Sequence, residues 1–300
     1  MPVRTVYLGT SEFAAAVLER LADSPHRPAL VVTRPDRPAG RGRRMHAPPV
    51  ADLARALDLS LAQPDDVNAE AARARIAAAS PDVVVVCAFG ALLREPLLSA
   101  HELLNVHPSL LPRWRGAAPI ERAIMAGDPE TGVAIMRVTA GLDSGPVCLV
   151  EREPIREEDT YGTLSARLAA RGGDLLVRAL DERPACVEQP EDGVTYAEKI
   201  SAEDRVLDAR SSSAAQLART VRALSPHVGA RLALPGGSEH LGVWGARLAG
   251  DAASAPGTLG SVDGRLLLST ADGALELTVV QPPGKKQMPA ADYLRGHAVS

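Results

Sequence analysis

The sequence predicts an α/β protein: a doubly wound, mostly parallel sheet followed by a small C-terminal β-barrel. Three observations predict it. Through about residue 180, short apolar runs alternate with segments of helical spacing. One run, Asp82–Cys87 (DVVVVC), is continuously apolar and β-branched, the pattern of a strand buried on both faces. Past residue 205, a single helical segment gives way to short strand patterns punctuated by Gly and Asp.

Each element has its own warrant. Thr5–Leu8 is a short apolar strand, and Gly9 opens a tight turn with Thr10 or Ser11 placed to cap the next helix. Phe13–Leu21 has helical spacing, Ala29–Thr33 reads as a strand, and Val50–Leu57 and Ala69–Ala78 read as helices. Leu103–His107 is a second central strand, Ala117–Ala126 a helix, Val133–Val138 a strand and Tyr161–Leu180 a long helix. This rhythm argues a parallel sheet. Residues 184–204 are polar and hold Pro184 and Pro190, so they read as a linker between a domain over 1–183 and one over 205–300. The second domain starts with a helix at Ala214–Leu224. Strands follow at Arg231–Leu234, Leu241–Ala246, Gly257–Val262, Arg265–Ser269 and Leu275–Val280.

Composition narrows the function. With 46% hydrophobic residues the chain can bury a sizeable core, and with 3% aromatics that core rests on Leu, Val and Ile. No apolar run is long enough to span a membrane, and MPVRTVYLG leads directly into a strand with no secretory pattern, so the expected compartment is the cytoplasm. Cys87, Cys148 and Cys186 are widely spaced with no CxxC, so neither a structural zinc nor a disulfide is expected. The net charge of −4 argues against a surface coated in nucleic-acid contacts. Residues 34–44 nevertheless hold five Arg against one Asp, which is either a solvated loop or a local grip on an anion.

The single glycine at Gly9 is not GxGxxG, which argues against a nicotinamide cofactor. Asn105 and His107 stand two apart on a strand and so share one face at its C-terminal end, where parallel sheets carry their ligands. Asn offers a neutral donor and His a proton exchanged near neutral pH; the bland alternative is a hydrogen-bonded structural pair. Asp143 lies between Gly141 and Gly145 in GLDSGP, after the strand Val133–Val138. If that strand is parallel to Leu103–His107, its loop leaves the same edge and Asp143 reaches His107 for acid–base work. No second His stands at ligand spacing, so no metal is expected. In SLLPRWRGAAPI, Pro108 and Pro112 stiffen a loop that presents Arg113, Trp114 and Arg115 as a binding platform.

Taken together, these motifs resemble the methionyl-tRNA formyltransferase family over nearly the whole chain. The resemblance rests on GTSEFA (9–14), TRPDRPAGRGRRM (33–45), VVVCAFGALL (84–93), LNVHPSLLPRWRGAAPIERAI (104–124), ETGVAIM (130–136), GLDSGP (141–146), ALSPHVGA (223–230) and QPPGKKQM (281–288). It implies a Rossmann-like catalytic domain, an OB-like C-terminal barrel and a monomer. It implies formyl transfer from 10-formyltetrahydrofolate to the amine of initiator methionyl-tRNA, with Asn105, His107 and Asp143 as the catalytic trio. Folate contacts carry over to Ser109, Leu110, Leu111 and Pro112, and the loop Phe89, Gly90, Ala91 and Leu92 lies near the pterin in relatives. tRNA contacts carry over to Arg34, Arg37, Arg41, Arg43 and Arg44, with Arg41 leading, and to Lys285 and Lys286. Residues 201–300 carry ten Lys/Arg against nine Asp/Glu, and residues 1–200 carry 23 against 28, so the C-terminal part repels a polyanion less. Two positions depart from the family pattern: Arg34 stands where relatives often have Gln, and residues 203–212 lack a Trp common there. The nearest rival is a folate-dependent formyltransferase acting on a small amine such as a sugar nucleotide.

Overall fold

A computed structural model of the chain describes residues 1–39, 44–234, 239–252 and 254–297. Its elements through the first half are β1 (Thr5–Gly9), α1 (Glu12–Ala22), β2 (Leu30–Val32), β3 (Arg37–Ala39), β4 (Arg44–His46), α2 (Pro49–Ala56), β5 (Leu61–Ala62), α3 (Glu70–Ala78), β6 (Val83–Cys87), α4 (Leu97–Ala100), β7 (Leu103–His107), β8 (Arg115–Gly116) and α5 (Pro119–Ala126). There follow β9 (Glu130–Arg137), β10 (Val147–Pro154), α6 (Tyr161–Glu182), β11 (Tyr196–Ala197), a 3-10 turn at Glu203–Arg205, α7 (Ala214–Leu224), β12 (Ala230–Ala233), β13 (His240–Leu248), β14 (Leu259–Val262), β15 (Arg265–Ser269), β16 (Ala274–Gln281), β17 (Met288–Pro289) and α8 (Ala290–Gly296). Two compact units result. One comprises Met1–Gly116, Thr131–Glu153 and Ser165–Tyr196; the other comprises Ala117–Glu130, Pro154–Leu164 and Ala197–Ser300.

In the first unit a seven-stranded sheet runs β10-β9-β7-β6-β1-β2-β5. From β7 to β5 every pairing is parallel. Val83, Val84, Val85 and Cys87 are all fully buried, which is why β6 shows no alternation of apolar and polar residues. Ser11 caps α1, its hydroxyl accepting from the Ala14 N–H at 3.3 Å. Gly9 is required by space: a Cβ there would lie 2.7 Å from Tyr7 Cε1 and 3.1 Å from the Cys87 carbonyl oxygen.

Two expectations are overturned here. β9, covering the expected strand Val133–Val138, pairs with β7 antiparallel, His107 lying beside Ala134 and Leu104 beside Arg137. A buried strand has the same apolar pattern in either direction, so residue type could not decide its sense. The cysteines do form a disulfide, between Cys148 and Cys186. Val147 and Val187 pair as an antiparallel bridge and bring these neighbours together across 38 residues of chain. Cys87 remains a free, buried thiol, and burial pushes its pKa up to about 12.

The second unit has an antiparallel sheet in the order β12-β13-β16-β15-β14, with β17 on β16. α7 begins with a capping box between Ser213 and Gln216, and buries Leu217, Val221 and Leu224 among Leu232, Leu241, Val243, Leu266, Leu275 and Val280. Among the described residues no helix is long and apolar enough to cross a membrane.

Within that unit Arg122 donates two hydrogen bonds to Asp204, at 2.7 and 2.8 Å. This fork holds the Asp204 carboxyl down at about 2, against an ordinary 3.8. A depressed carboxylate stabilises the fold above its unfolded pKa, and that stability is lost as pH falls through the folded value. The shift corresponds to about 2 kcal/mol. Asp204→Asn should therefore destabilise the protein by about that amount at pH 7, with the gap narrowing as pH falls below 4. Urea unfolding of both proteins from pH 7 to pH 3 measures it, and a gap independent of pH would refute this role for the pair.

Candidate active site

β7 delivers the first two groups. The side chains of Asn105 and His107 share one face, while Leu104 and Val106 fill the other. His107 is only 4% exposed. Its Nε2 donates to the Trp114 carbonyl at 2.9 Å. A carbonyl only accepts, so Nε2 carries a hydrogen, and Nδ1 is the nitrogen turned toward Asp143. That nitrogen lies 3.7 Å from Oδ2 of Asp143. The distance is too long for a direct hydrogen bond.

Asp143 arrives by a route the sequence did not suggest. Because β9 runs antiparallel, it ends beside the start of β7, where Val138 N–H bonds the Leu103 carbonyl at 2.9 Å. The loop 138–146 then folds back over the face that carries Asn105 and His107. Oδ2 of Asp143 accepts from the Gly116 N–H at 2.9 Å, and Oδ1 meets Asn105 Nδ2 at 3.4 Å. An amide nitrogen has two hydrogens, so Asn105 can keep this long contact and still donate to a substrate oxygen. Gly145 allows the return: its Cα passes so near β9 that a Cβ would lie 2.0 Å from the Arg137 carbonyl oxygen.

The expected folate residues divide. β6 is parallel to β7, with Val86 beside Asn105, so the loop holding Phe89, Gly90, Ala91 and Leu92 leaves the sheet at the edge that bears the trio. Phe89 is buried, Leu92 is exposed, and Asn68 pins the loop through the Leu92 carbonyl and the Arg94 N–H, at 3.0 and 2.8 Å. Ser109 is fully buried and turns its hydroxyl to the Arg113 carbonyl at 2.7 Å, so it shapes the turn before Pro112. Leu110 and Leu111 line a cavity of about 780 Å³ with Val150, Glu151, Arg152 and Arg178. Three apolar side chains and two guanidinium groups share this lining with the Glu151 carboxylate.

The basic residues are scattered. Arg34 donates to the Gly90 carbonyl at 2.7 Å, so it braces the Phe89–Leu92 loop. Arg37 and Arg44 are exposed on β3 and β4, an antiparallel ladder formed where the sequence reads as an open loop. Arg41 and Arg43 lie outside the described residues. Lys285 and Lys286 are exposed at a turn in the second unit. The Arg113 guanidinium lies 4.5 Å from the Trp114 ring centre, and Arg115 Nε donates to Gln189 at 2.9 Å, so part of the expected platform is spent inside the protein.

Sequence reasoning passed over Asn68, Gln189 and Thr195. Gln189 donates to the carbonyls of Asp143 and Gly145, both at 2.8 Å, and the Thr195 hydroxyl accepts from the Trp114 N–H at 2.9 Å. Both sit in a polar, Pro-bearing stretch whose composition matches any linker. Three loops also hold a non-glycine residue in the left-handed region: Ala88 at φ +42°, Trp114 at +63° and Asp143 at +43°. Such conformations cost about 1–3 kcal/mol each and persist where the surroundings enforce them.

The formyl transferase family profile matches residues 3–180, and the profile of the formyl transferase C-terminal domain matches residues 199–298. A methionyl-tRNA formyltransferase of Halorhodospira halophila is 45% identical, the match covering 99% of this chain and 97% of that protein. One of Acidovorax ebreus is 44% identical over 98% of this chain and 96% of its own. The chain belongs to the methionyl-tRNA formyltransferase family. A crystal structure of HypX from Aquifex aeolicus in complex with tetrahydrofolic acid superposes with a TM-score of 0.69 at 17% identity. The match covers 98% of this chain and 47% of that one, so the formyltransferase chain spans about half of HypX and shares its fold.

The clearance at Gly145 yields a prediction. Gly145→Ala must displace the loop that carries Asp143. A shift near 1 Å at a reacting group costs about 10²-fold, so turnover should fall by about that factor while far-UV circular dichroism keeps its wild-type shape. A variant with the wild-type rate would show that the loop position is immaterial.

Proposed function

We propose that the protein transfers the formyl group of 10-formyltetrahydrofolate to the α-amine of methionyl initiator tRNA, with Asn105, His107 and Asp143 as the reacting groups. The observation that carries this reading is their convergence: His107 Nδ1 lies 3.7 Å from Asp143 Oδ2, and Asn105 touches the same carboxylate. The closely similar methionyl-tRNA formyltransferases support the choice of acceptor. When bound, the folate supplies an activated N-formyl group. Leu110, Leu111, Arg152 and Arg178 would hold it, with the Phe89–Leu92 loop at the sheet edge.

The amine attacks only when neutral, and a free α-amino group has a pKa of ~8. Asp143 accepts its proton, directly or through water. Asn105 donates Nδ2–H to the formyl oxygen as that oxygen gains charge. Protonated His107, its Nε2–H tied to the Trp114 carbonyl, donates from Nδ1 to the same oxygen or to the departing nitrogen. A new C–N bond to the amine thus replaces the old one; His107 gives a proton to the folate nitrogen and recovers one from Asp143, so the net result is one proton moved from the amine to the folate nitrogen.

The reading divides the chain into a catalytic domain (1–183), a linker (184–204) whose first part is built into the catalytic unit, and an OB-like tRNA-binding domain (205–300). Arg37, Arg41, Arg43 and Arg44 contact the acceptor end of the tRNA, while Arg34 braces the Phe89–Leu92 loop. Lys285 and Lys286 follow the tRNA backbone. The protein acts as a cytoplasmic monomer, the state that the family resemblance implies.

The test incubates purified protein and 10-formyltetrahydrofolate with methionyl initiator tRNA, methionyl elongator tRNA or an amino-sugar nucleotide. Product on the initiator alone is expected; product on the sugar nucleotide instead would replace this reading. An oxyanion donor is worth about 3–4 kcal/mol in the transition state. Asn105→Ala should lower kcat by about 10²- to 10³-fold with an unchanged melting temperature, and a near-normal rate would remove Asn105 from the chemistry.

A further inference from the structure

We infer that Gln189 is a positioning residue for this reaction, holding the carboxylate of Asp143 in place through the backbone of its loop. The inference rests on Asp143 being the proton acceptor proposed above.

Asp143 needs outside support. Gly141 and Gly145 flank it, and neither restricts the backbone much. Its own φ of +43° is unfavourable for a residue with a side chain. Gln189 supplies the support with its whole amide. Both Nε2 hydrogens are used, one on the Asp143 carbonyl and one on the Gly145 carbonyl, at 2.8 Å each. Oε1 accepts from Arg115 Nε at 2.9 Å. Arginine only donates and carbonyls only accept, so the amide has one workable orientation.

Those contacts join the two arms of the site. Arg115 stands between Trp114, whose carbonyl receives His107 Nε2–H, and Gly116, whose N–H holds Asp143 Oδ2. One side chain therefore couples the segment that orients the imidazole to the loop that brings the carboxylate. Its own segment is anchored on both sides. The Cys148–Cys186 bond and the Val147–Val187 pair hold it upstream. Downstream, Thr195 bonds Trp114 and Arg115, with the Arg115 N–H reaching the Thr195 carbonyl at 2.9 Å. The polar stretch is a strap over the site, and Gln189 is its inward-facing group.

Single-turnover formylation of methionyl initiator tRNA tests this with wild type, Gln189→Ala, Asp143→Ala and the double variant. Gln189→Ala should lower the rate about 10- to 100-fold, leave the apparent affinity for both substrates within about twofold, and keep the wild-type melting temperature within a few degrees. In the Asp143→Ala background the same substitution should change the rate by less than about twofold, because groups acting as a unit are not additive. Multiplied effects in the double variant, or a wild-type rate for Gln189→Ala, would overturn the inference. If Gln189→Ala fails to fold, Gln189→Glu serves: it keeps the acceptor for Arg115 and loses both donors, and the same non-additivity is expected. Glu188→Ala, an exposed neighbour on the strap, should keep the wild-type rate; a comparable loss there would show general damage to the strap and overturn the specific role of Gln189. Wild-type protein inactive on the tRNA would instead defeat the proposed reaction itself, so the two failures are distinguishable.

Discussion

The hydrogen bond from His107 Nε2 to the Trp114 carbonyl governs the site. A buried imidazole has two nitrogens and one decision: which of them meets the substrate. By occupying Nε2 with an obligate acceptor, the protein turns Nδ1 toward Asp143, the nitrogen that the proposed reaction uses. The acceptor is backbone, so it does not titrate. It also belongs to a residue at φ +63°, a conformation that needs enforcement. Much of the surrounding structure supplies it, from the buried Ser109 turn to the Thr195 hydroxyl on the Trp114 amide.

Three loops reach this edge of the sheet by different physical routes. The Phe89–Leu92 loop arrives by parallel register, since β6 and β7 end at the same edge. The Trp114 loop arrives by continuity, since it follows β7 directly. The Asp143 loop has neither advantage. It leaves an antiparallel strand at the wrong edge and must fold back, which demands the near-contact at Gly145 and polar groups to hold the returning backbone. Gln189 and the Gly116 N–H provide those groups. The longer the detour a reacting group takes, the more its position depends on neighbours that never touch substrate.

Charge is deployed differently in the two units. Around Asp143 the carboxylate partners are one backbone N–H, from Gly116, the Asn105 amide and the His107 imidazole. Asp204, in the second unit, is forked by Arg122 and held near a pKa of 2, which makes it a structural anion with no proton affinity at neutral pH. Under the proposed reaction, one aspartate serves chemistry and the other scaffolding.

Part of the element pattern was legible in the sequence because it depends on local chemistry. Leu103–His107 and Arg265–Ser269 end where their apolar patterns end, and Ala214–Leu224 starts at its capping box. Asn105 and His107 share a face because strand period is a covalent property of the chain. Direction and partnership were not legible. A buried strand reads alike in both senses, so β9 was expected to be parallel; Cys148 and Cys186 lie 38 residues apart and give no sign of meeting; and Gln189 looks like any linker glutamine. Only tertiary packing decided these, because the partner that defines each one is brought from elsewhere in the chain.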